Sequence, residues 1–404
     1  MSPAVPRAGL LGALALATET ADELVLGTVR DMHTAVAGRV FGLTSRATGG
    51  SAVLPEQVHG RIAGAVYAGL GAGLRATSRA LRAADRKGVG ARLESTPHGR
   101  FAVAAVNGLI GDRLAADGSD MAIEMAVRVH GRDVPLDAEH LAEAFPAAGG
   151  DLVVFLHGLS EGEHSWHRGG AAAGGPYGRR LQADLGWTPV YLRANTGLPI
   201  AENGAALAGL LDDLVGAWPV PVRRIALVGH SMGGLIMRAA CAVVTEADSP
   251  WNSLVTDVVT LGTPHLGAPM EHGVHLGAQA LGLLPESAPL GRILEYRSVG
   301  ILDLRSGLAA DVQNLPNARY HLVGATLAGS PTHPVSAVLG DMLVRYPSAT
   351  GRPRRGRELF PDADTLHIRG GHFDLLNHPE VYDALRAWLA EAATLTPTTR
   401  GDTA

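Results

Sequence analysis

Two hydrophobic periodicities divide the chain. From residue 8 to about 117, apolar residues recur at three- and four-residue steps (Leu10, Leu14, Ala17, Ala21, Val25, Val29), the spacing of one helix face. A loop rich in Gly, Ser and Thr is expected at Thr44 to Ser51. A second helix is expected from about Glu56 to Asp85, and a shorter one from about Phe101 to Ala115, ending at Ala116-Asp117-Gly118. From about Ala122 the pattern changes. Ala122 to His130 alternates as a strand, and Gly131-Arg132-Asp133 is turn chemistry before Val134-Pro135-Leu136. Further strands are predicted at Asp151–Leu156, Thr188–Arg193, Ile225–Val228, Val255–Leu261, Arg319–Val323 and Thr365–Ile368. Helices are predicted at about Ala138–Ala144, Tyr177–Leu185, Ala201–Ala217, Met232–Thr245 and Pro379–Ala392. Strands alternating with helices, several of them uninterrupted apolar runs, predict an α/β fold: a mostly parallel central sheet with helices on both faces.

This gives an N-terminal Ala/Gly-rich helical region over residues 1–118, an α/β domain over 119–393 and a polar tail over 394–404 expected to be disordered. Between about 268 and 313 the sheet pattern is interrupted by short apolar segments punctuated by Pro269, Pro285 and Pro289, which suits a lid-like insertion. In the second helix Gly60 and Gly64, then Gly69 and Gly73, are four apart, a spacing that lets helices approach closely. Packing within the chain is the expected use. Self-association and contact with a membrane surface are the alternatives.

Composition narrows the classes. A net charge of −5 over 404 residues excludes a general affinity for nucleic acid. The single cysteine, Cys241, excludes an intrachain disulfide and fits a reducing compartment. Arg7 before the apolar run Ala8–Ala17 has the outline of a signal peptide. The lone positive charge and the unbroken helical pattern through Met32 argue against one, so a cytoplasmic location is expected. No apolar run reaches the length of a membrane span.

The candidate chemistry centres on Gly229-His230-Ser231-Met232-Gly233, set between a buried strand and a helix. Turning strand into helix within so few residues holds the serine in a strained backbone conformation. Gly229 and Gly233 lack the Cβ atoms that would clash there. Ser231 Oγ then stands at a helix N-terminus, where free N–H groups favour a developing negative charge. With this context the string G-H-S-M-G-G resembles the nucleophile elbow of the α/β-hydrolase superfamily, in particular its serine lipases and esterases. Leu261-Gly262-Thr263-Pro264-His265-Leu266-Gly267 resembles the L-G-T-P-H-x-G segment of lipases and of lipase-like enzymes that deacylate glycosylphosphatidylinositol. The likeness spans about Ala122 to Ala392 and leaves the N-terminal region without a family.

The resemblance implies a Ser-Asp-His triad in that chain order, with Ser231 as nucleophile. His372, in the loop between the last strand and the last helix, matches the family's base. Its rivals are His378, His367, His333, His321, His275, His272 and His265. Asp341, in Leu339-Gly340-Asp341, matches the family's acid loop, with Asp303, Asp362 and Asp364 as rivals. The oxyanion donors would be the backbone N–H groups of Met232 and of Leu159 in His157-Gly158-Leu159, with His157, Gly158 and His230 shaping the site. Such chemistry needs no cofactor, and the spacing of His157, His164 and His167 suits no standard metal ligand set. The expected activity is hydrolysis of carboxylic esters, with a small molecule or lipid as substrate. Acyl transfer, or amide or thioester hydrolysis, would use the same triad. A membrane-surface or assembly protein with incidental activity is the reading from another class. Because residues 8–117 hold no proposed site group, a chain beginning at about Asp117 is expected to keep the chemistry.

Overall fold

The computed structural model describes residues 96–243, 250–267, 299–308, 312–333, 340–341, 343–353 and 356–390, with scattered positions before residue 96. The Thr44–Ser51 loop, much of the two expected N-terminal helices, most of the lid-like insertion and the tail lie outside the described residues.

The described strands form one sheet of eight, in the order β2-β1-β4-β3-β5-β6-β7-β8. They are β1 (Ala126–Val129), β2 (Arg132–Val134), β3 (Asp151–Leu156), β4 (Thr188–Arg193), β5 (Arg224–His230), β6 (Val255–Leu261), β7 (Arg319–Thr326) and β8 (Asp364–Arg369). β1 runs antiparallel to β2 and β4, and the other pairings are parallel. This is the α/β-hydrolase fold. The first hairpin departs from the sequence reading. β1 is shorter than expected, and β2 begins inside the expected turn, because His130 and Gly131 both take positive φ (49° and 74°) and close a two-residue turn.

The helices are α1 (Pro97–Ala116), α2 (Ala138–Ala144), α3 (Tyr177–Leu185), α4 (Ile200–Ala217), α5 (Met232–Val243), α6 (Pro250–Leu254), α7 (Val299–Ser306), α8 (Tyr346–Ala349) and α9 (Pro379–Ala390). None of the described helices is long and apolar enough to cross a membrane. The uninterrupted apolar runs of β3 and β5 follow from two covered faces. Leu152, Val154, Leu156, Ile225 and Leu227 join Leu207, Leu211 and Leu235 of α4 and α5 in one core. Val153, Phe155, Ala226 and Val228 join Leu181 of α3 and Val381, Leu385 and Leu389 of α9 in the other. Each such side chain contributes about 1.5–3 kcal/mol by leaving water.

The chain divides into two compact units: Met1–Val103 with Leu114–Ala122 and Met270–Arg297, and Ala104–Arg113 with Ile123–Pro269 and Ser298–Ala404. In the first unit residues 75–81 and 97–103 are helical, and Thr96 Oγ1 caps α1 by accepting from Gly99 N–H at 3.1 Å. Gly64, Gly69 and Gly73 are exposed, and a Cβ on any of them would meet nothing within 4 Å among the described residues. Gly60 lies outside them. The second unit holds the whole sheet.

Candidate active site

β5 delivers the chain to Ser231, which takes φ of +52° before α5 begins at Met232. A non-glycine residue there carries strain of about 1–3 kcal/mol, tolerated where surrounding bonds fix the backbone. Two such bonds are present. Ser231 N–H donates to Leu261 O at the end of β6 (2.8 Å), and Ser231 O accepts from Gly234 N–H (3.1 Å). A Cβ on Gly233 would strike the Leu156 and His157 carbonyls, so the first turn of α5 lies directly on the end of β3. The strand–Gly-x-Ser-x-Gly–helix pattern read from the sequence is therefore a tight elbow.

The structure brings Asp341 and His372 together beside it. Asp341 Oδ2 accepts from His372 Nδ1 at 2.7 Å, with both side chains buried. Asp341 Oδ1 accepts from the N–H groups of Leu343 (2.9 Å) and Val344 (2.7 Å), which fixes the carboxylate plane. His372 N–H donates to Asp341 O at 3.0 Å, so main chain and side chain lock the same pair. With Nδ1–H directed at a carboxylate, the neutral tautomer of the ring carries its lone pair on Nε2. The His372 ring lies 4.8 Å from the ring of His230, the residue before Ser231. Asn377 anchors the histidine turn. Its Nδ2 donates to Trp166 O and Arg168 O, and its Oδ1 accepts from Tyr177 N–H.

The rivals lie elsewhere. Asp364 and Asp257 hold His321 between them at the opposite ends of the strands, each at 3.0 Å. Asp303 accepts from Ile200 N–H. His367 pairs with Thr326 Oγ1. His265 is buried against Phe360 with Nε2 on Thr260 Oγ1, and burial together with the Arg238 charge pushes its imidazole well down. His272 and His275 fall outside the described residues. Gly262 of the L-G-T-P-H string has a direct role. It takes φ of +61°, and a Cβ there would meet His372 Cε1 at 3.0 Å and Nδ1 at 3.1 Å.

The loop after β3 lies against the elbow. A Cβ on Gly158 would meet Ser231 Cβ at 2.9 Å. His157 is fully buried; Nδ1 donates to Gly158 O (2.9 Å) and Nε2 accepts from Ala194 N–H (3.1 Å). Burial lowers its pKa, consistent with a neutral ring that accepts at Nε2. Neither Leu159 N–H nor Met232 N–H has an acceptor among the described residues.

Two features of this loop were not read from the sequence. Glu161 folds back, and its Oε2 accepts from Gly158 N–H (2.8 Å) and His230 Nδ1 (3.0 Å). Glu161 stands two residues beyond Leu159, but a lone glutamate in a polar loop gives no signal of burial. The second is α1. A Cβ on Gly108 would collide with Ser160, and one on Gly111 with Asn195. Asn195 Nδ2 donates to Gly111 O, and Asn107 Oδ1 accepts from Ile123 N–H. Residues 104–113 thus support the loops after β3 and β4, although the sequence placed them outside the catalytic region. The spacing Gly108-x-x-Gly111 was the available signal. From the edge of the insertion, Val299 N–H donates to Asp112 Oδ2 and Gly300 N–H to Gly197 O.

Residues 214–279 match the model of the PGAP1-like alpha/beta domain. No curated protein matches the chain. Among solved structures it is similar to the mature form of the Bacillus licheniformis lipase BlEst2, at 19% identity over 67% of this chain and 98% of that one, with a TM-score of 0.41. The propeptide form of the same lipase aligns at 19% identity over 67% and 54%, with a TM-score of 0.43. The Pyrococcus furiosus esterase Pf2001 is similar at 15% identity over 60% and 82%, with a TM-score of 0.38. The strand order and the serine elbow after β5 make this chain an α/β-hydrolase fold, similar over residues 214–279 to the PGAP1-like alpha/beta domain.

Proposed function

We propose that this protein hydrolyses carboxylic esters through Ser231, His372 and Asp341. The observation that carries the reading is the buried Asp341–His372 pair, whose imidazole lies 4.8 Å from the ring of His230, the residue before a serine held at positive φ. His372 Nε2 takes the Ser231 proton as Oγ attacks the ester carbonyl, and returns it to the departing alcohol. Asp341 holds the imidazole in the tautomer that can accept at Nε2 and stabilises the imidazolium that forms. The Leu159 and Met232 N–H groups would receive the oxyanion, supported by the N-terminus of α5. Water then attacks the acyl-Ser231 ester, with His372 again as base, and releases the acid.

A panel of p-nitrophenyl esters from short to long acyl chains, with and without detergent, tests the reading. Wild type is expected to turn over at least one member. Ser231→Ala is expected to fold normally and lose on the order of 10⁶-fold in kcat. Undiminished turnover by Ser231→Ala contradicts the assignment.

A further inference from the structure

The buried carboxylate of Glu161 has no part in the triad chemistry. Its side chain is 11% exposed and that of His230 is 1% exposed, so the pair lies largely out of water. One oxygen, Oε2, joins two segments. It accepts from Gly158 N–H, one residue before the Leu159 donor, and from His230 Nδ1, one residue before Ser231. The turn is closed again by Glu161 N–H donating to Gly158 O at 3.2 Å. The far nitrogen of His230, Nε2, lies 3.4 Å from His372 O. A histidine can donate at both nitrogens only as the imidazolium, and a carboxylate at Nδ1 favours that form. Burial lowers the His230 pKa, but the Glu161 charge and hydrogen bond, with the His372 carbonyl and the Asp341 charge, outweigh it, and the net direction is up. Burial would likewise raise Glu161, yet the charge and hydrogen bond of His230 and the Gly158 N–H hold it down at about 2.

We propose that Glu161 is a positioning residue, which through His230 ties the oxyanion loop, the nucleophile elbow and the catalytic histidine turn into one unit. The inference rests on the ester-hydrolase reading. A neutral amide at position 161 keeps the shape but removes the charge that sustains the imidazolium. His230 then has a single N–H: kept on Nδ1, it leaves His372 O without a donor, and moved to Nε2, it requires the amide NH₂ to face Nδ1 and leaves Gly158 N–H without its acceptor. The Leu159 donor and the His372 ring would no longer be held against Ser231 together. Small misplacement of this kind penalises the transition state more than substrate binding.

The test uses the full chain and the variants Glu161→Gln, His230→Gln and the double variant, with active sites counted by fluorophosphonate titration. Turnover of the best p-nitrophenyl ester is measured with inhibition by a trifluoromethyl ketone of matching acyl part, whose hemiketal oxygen sits where the oxyanion forms. For Glu161→Gln, kcat per active site is expected to fall on the order of 30-fold with KM within about twofold, and the ketone Ki to rise by the same factor as kcat/KM falls. The double variant is expected to be no worse than the weaker single one, as for two residues acting as a unit. If Glu161→Gln does not fold, His230→Gln reads the same link. Unchanged kcat, an unchanged ketone Ki beside a fallen kcat, or additive losses in the double variant overturn the proposal while leaving the triad intact. A wild-type chain that hydrolyses no ester overturns both.

Discussion

Asp341 and Asp364 both face a histidine but hold it differently. Asp341 offers one oxygen to His372 Nδ1 and the other to two backbone N–H groups. Asp364 offers its carboxylate to His321, whose other nitrogen meets the fully buried Asp257. Asparagine at 341 could present its NH₂ to Nδ1 and stabilise the wrong tautomer of His372, leaving Nε2 protonated. Asp341→Asn is therefore expected to reduce kcat by about 10⁴-fold with little change in KM. Asp364→Asn is expected to lower stability by about 1 kcal/mol, since a hydrogen bond to a buried histidine is weakened, and to keep kcat within about twofold. Turnover and urea unfolding of both variants check this pair. A dead Asp364→Asn beside an active Asp341→Asn would assign the acid wrongly. Both aspartates were visible in the sequence. Their difference lies in which end of the sheet they occupy, and it was Gly340 before Asp341 and the predicted strand after Asp364 that distinguished them.

At the level of elements, α1 is where sequence and structure part. Its residues 104–113 carry no triad or oxyanion group, and that absence placed them outside the catalytic region. Yet Gly108 lies so close to Ser160 that no Cβ fits, and Ser160 itself sits at φ of +59° with its N–H on Thr196 Oγ1 at 3.0 Å. Ser160 follows Leu159 directly, so pressure on it moves the proposed oxyanion donor. Gly108→Val is expected to cost about 1–3 kcal/mol by overpacking and to lower kcat more than it raises KM. Leu109→Ser, at a position 53% exposed, is expected to change neither. Equal kcat for Gly108→Val and wild type would show that the helix supports the loop without affecting its donor. The same contact revises the expectation for a chain beginning near Asp117. Without residues 104–113 the loops after β3 and β4 lose their support, so such a chain is expected to bind and turn over esters poorly even if the sheet forms. The supporting role was hidden because Gly108 and Gly111 act through what they lack. The spacings that stood out, Gly64, Gly69 and Gly73, face open space among the described residues.

Across the whole sheet, the C-terminal ends of β3, β5, β7 and β8 lead into the loops that carry the candidate site. The opposite ends carry the Asp257–His321–Asp364 clasp, which joins β6, β7 and β8. The strands were legible from sequence because both faces are covered, which turns β3 and β5 into unbroken apolar runs. The tight turn at Ser231 was legible because its geometry requires the flanking glycines, and the loop of His372 stood out only through its resemblance to a family string. Glu161 and Asn377 were not, because a polar residue's burial depends on partners far along the chain, as the Asn377 bonds to Trp166 and Arg168 illustrate. These loops are proposed to assemble a serine nucleophile that forms an acyl-enzyme. The most direct measurement is rapid mixing with a p-nitrophenyl ester, followed by acid quench and peptide mass mapping. A burst of one p-nitrophenol per active chain is expected at early times, with an acyl mass increment on the peptide containing Ser231. An active enzyme with the increment on another residue, or with Ser231→Ala still acylated, would contradict it.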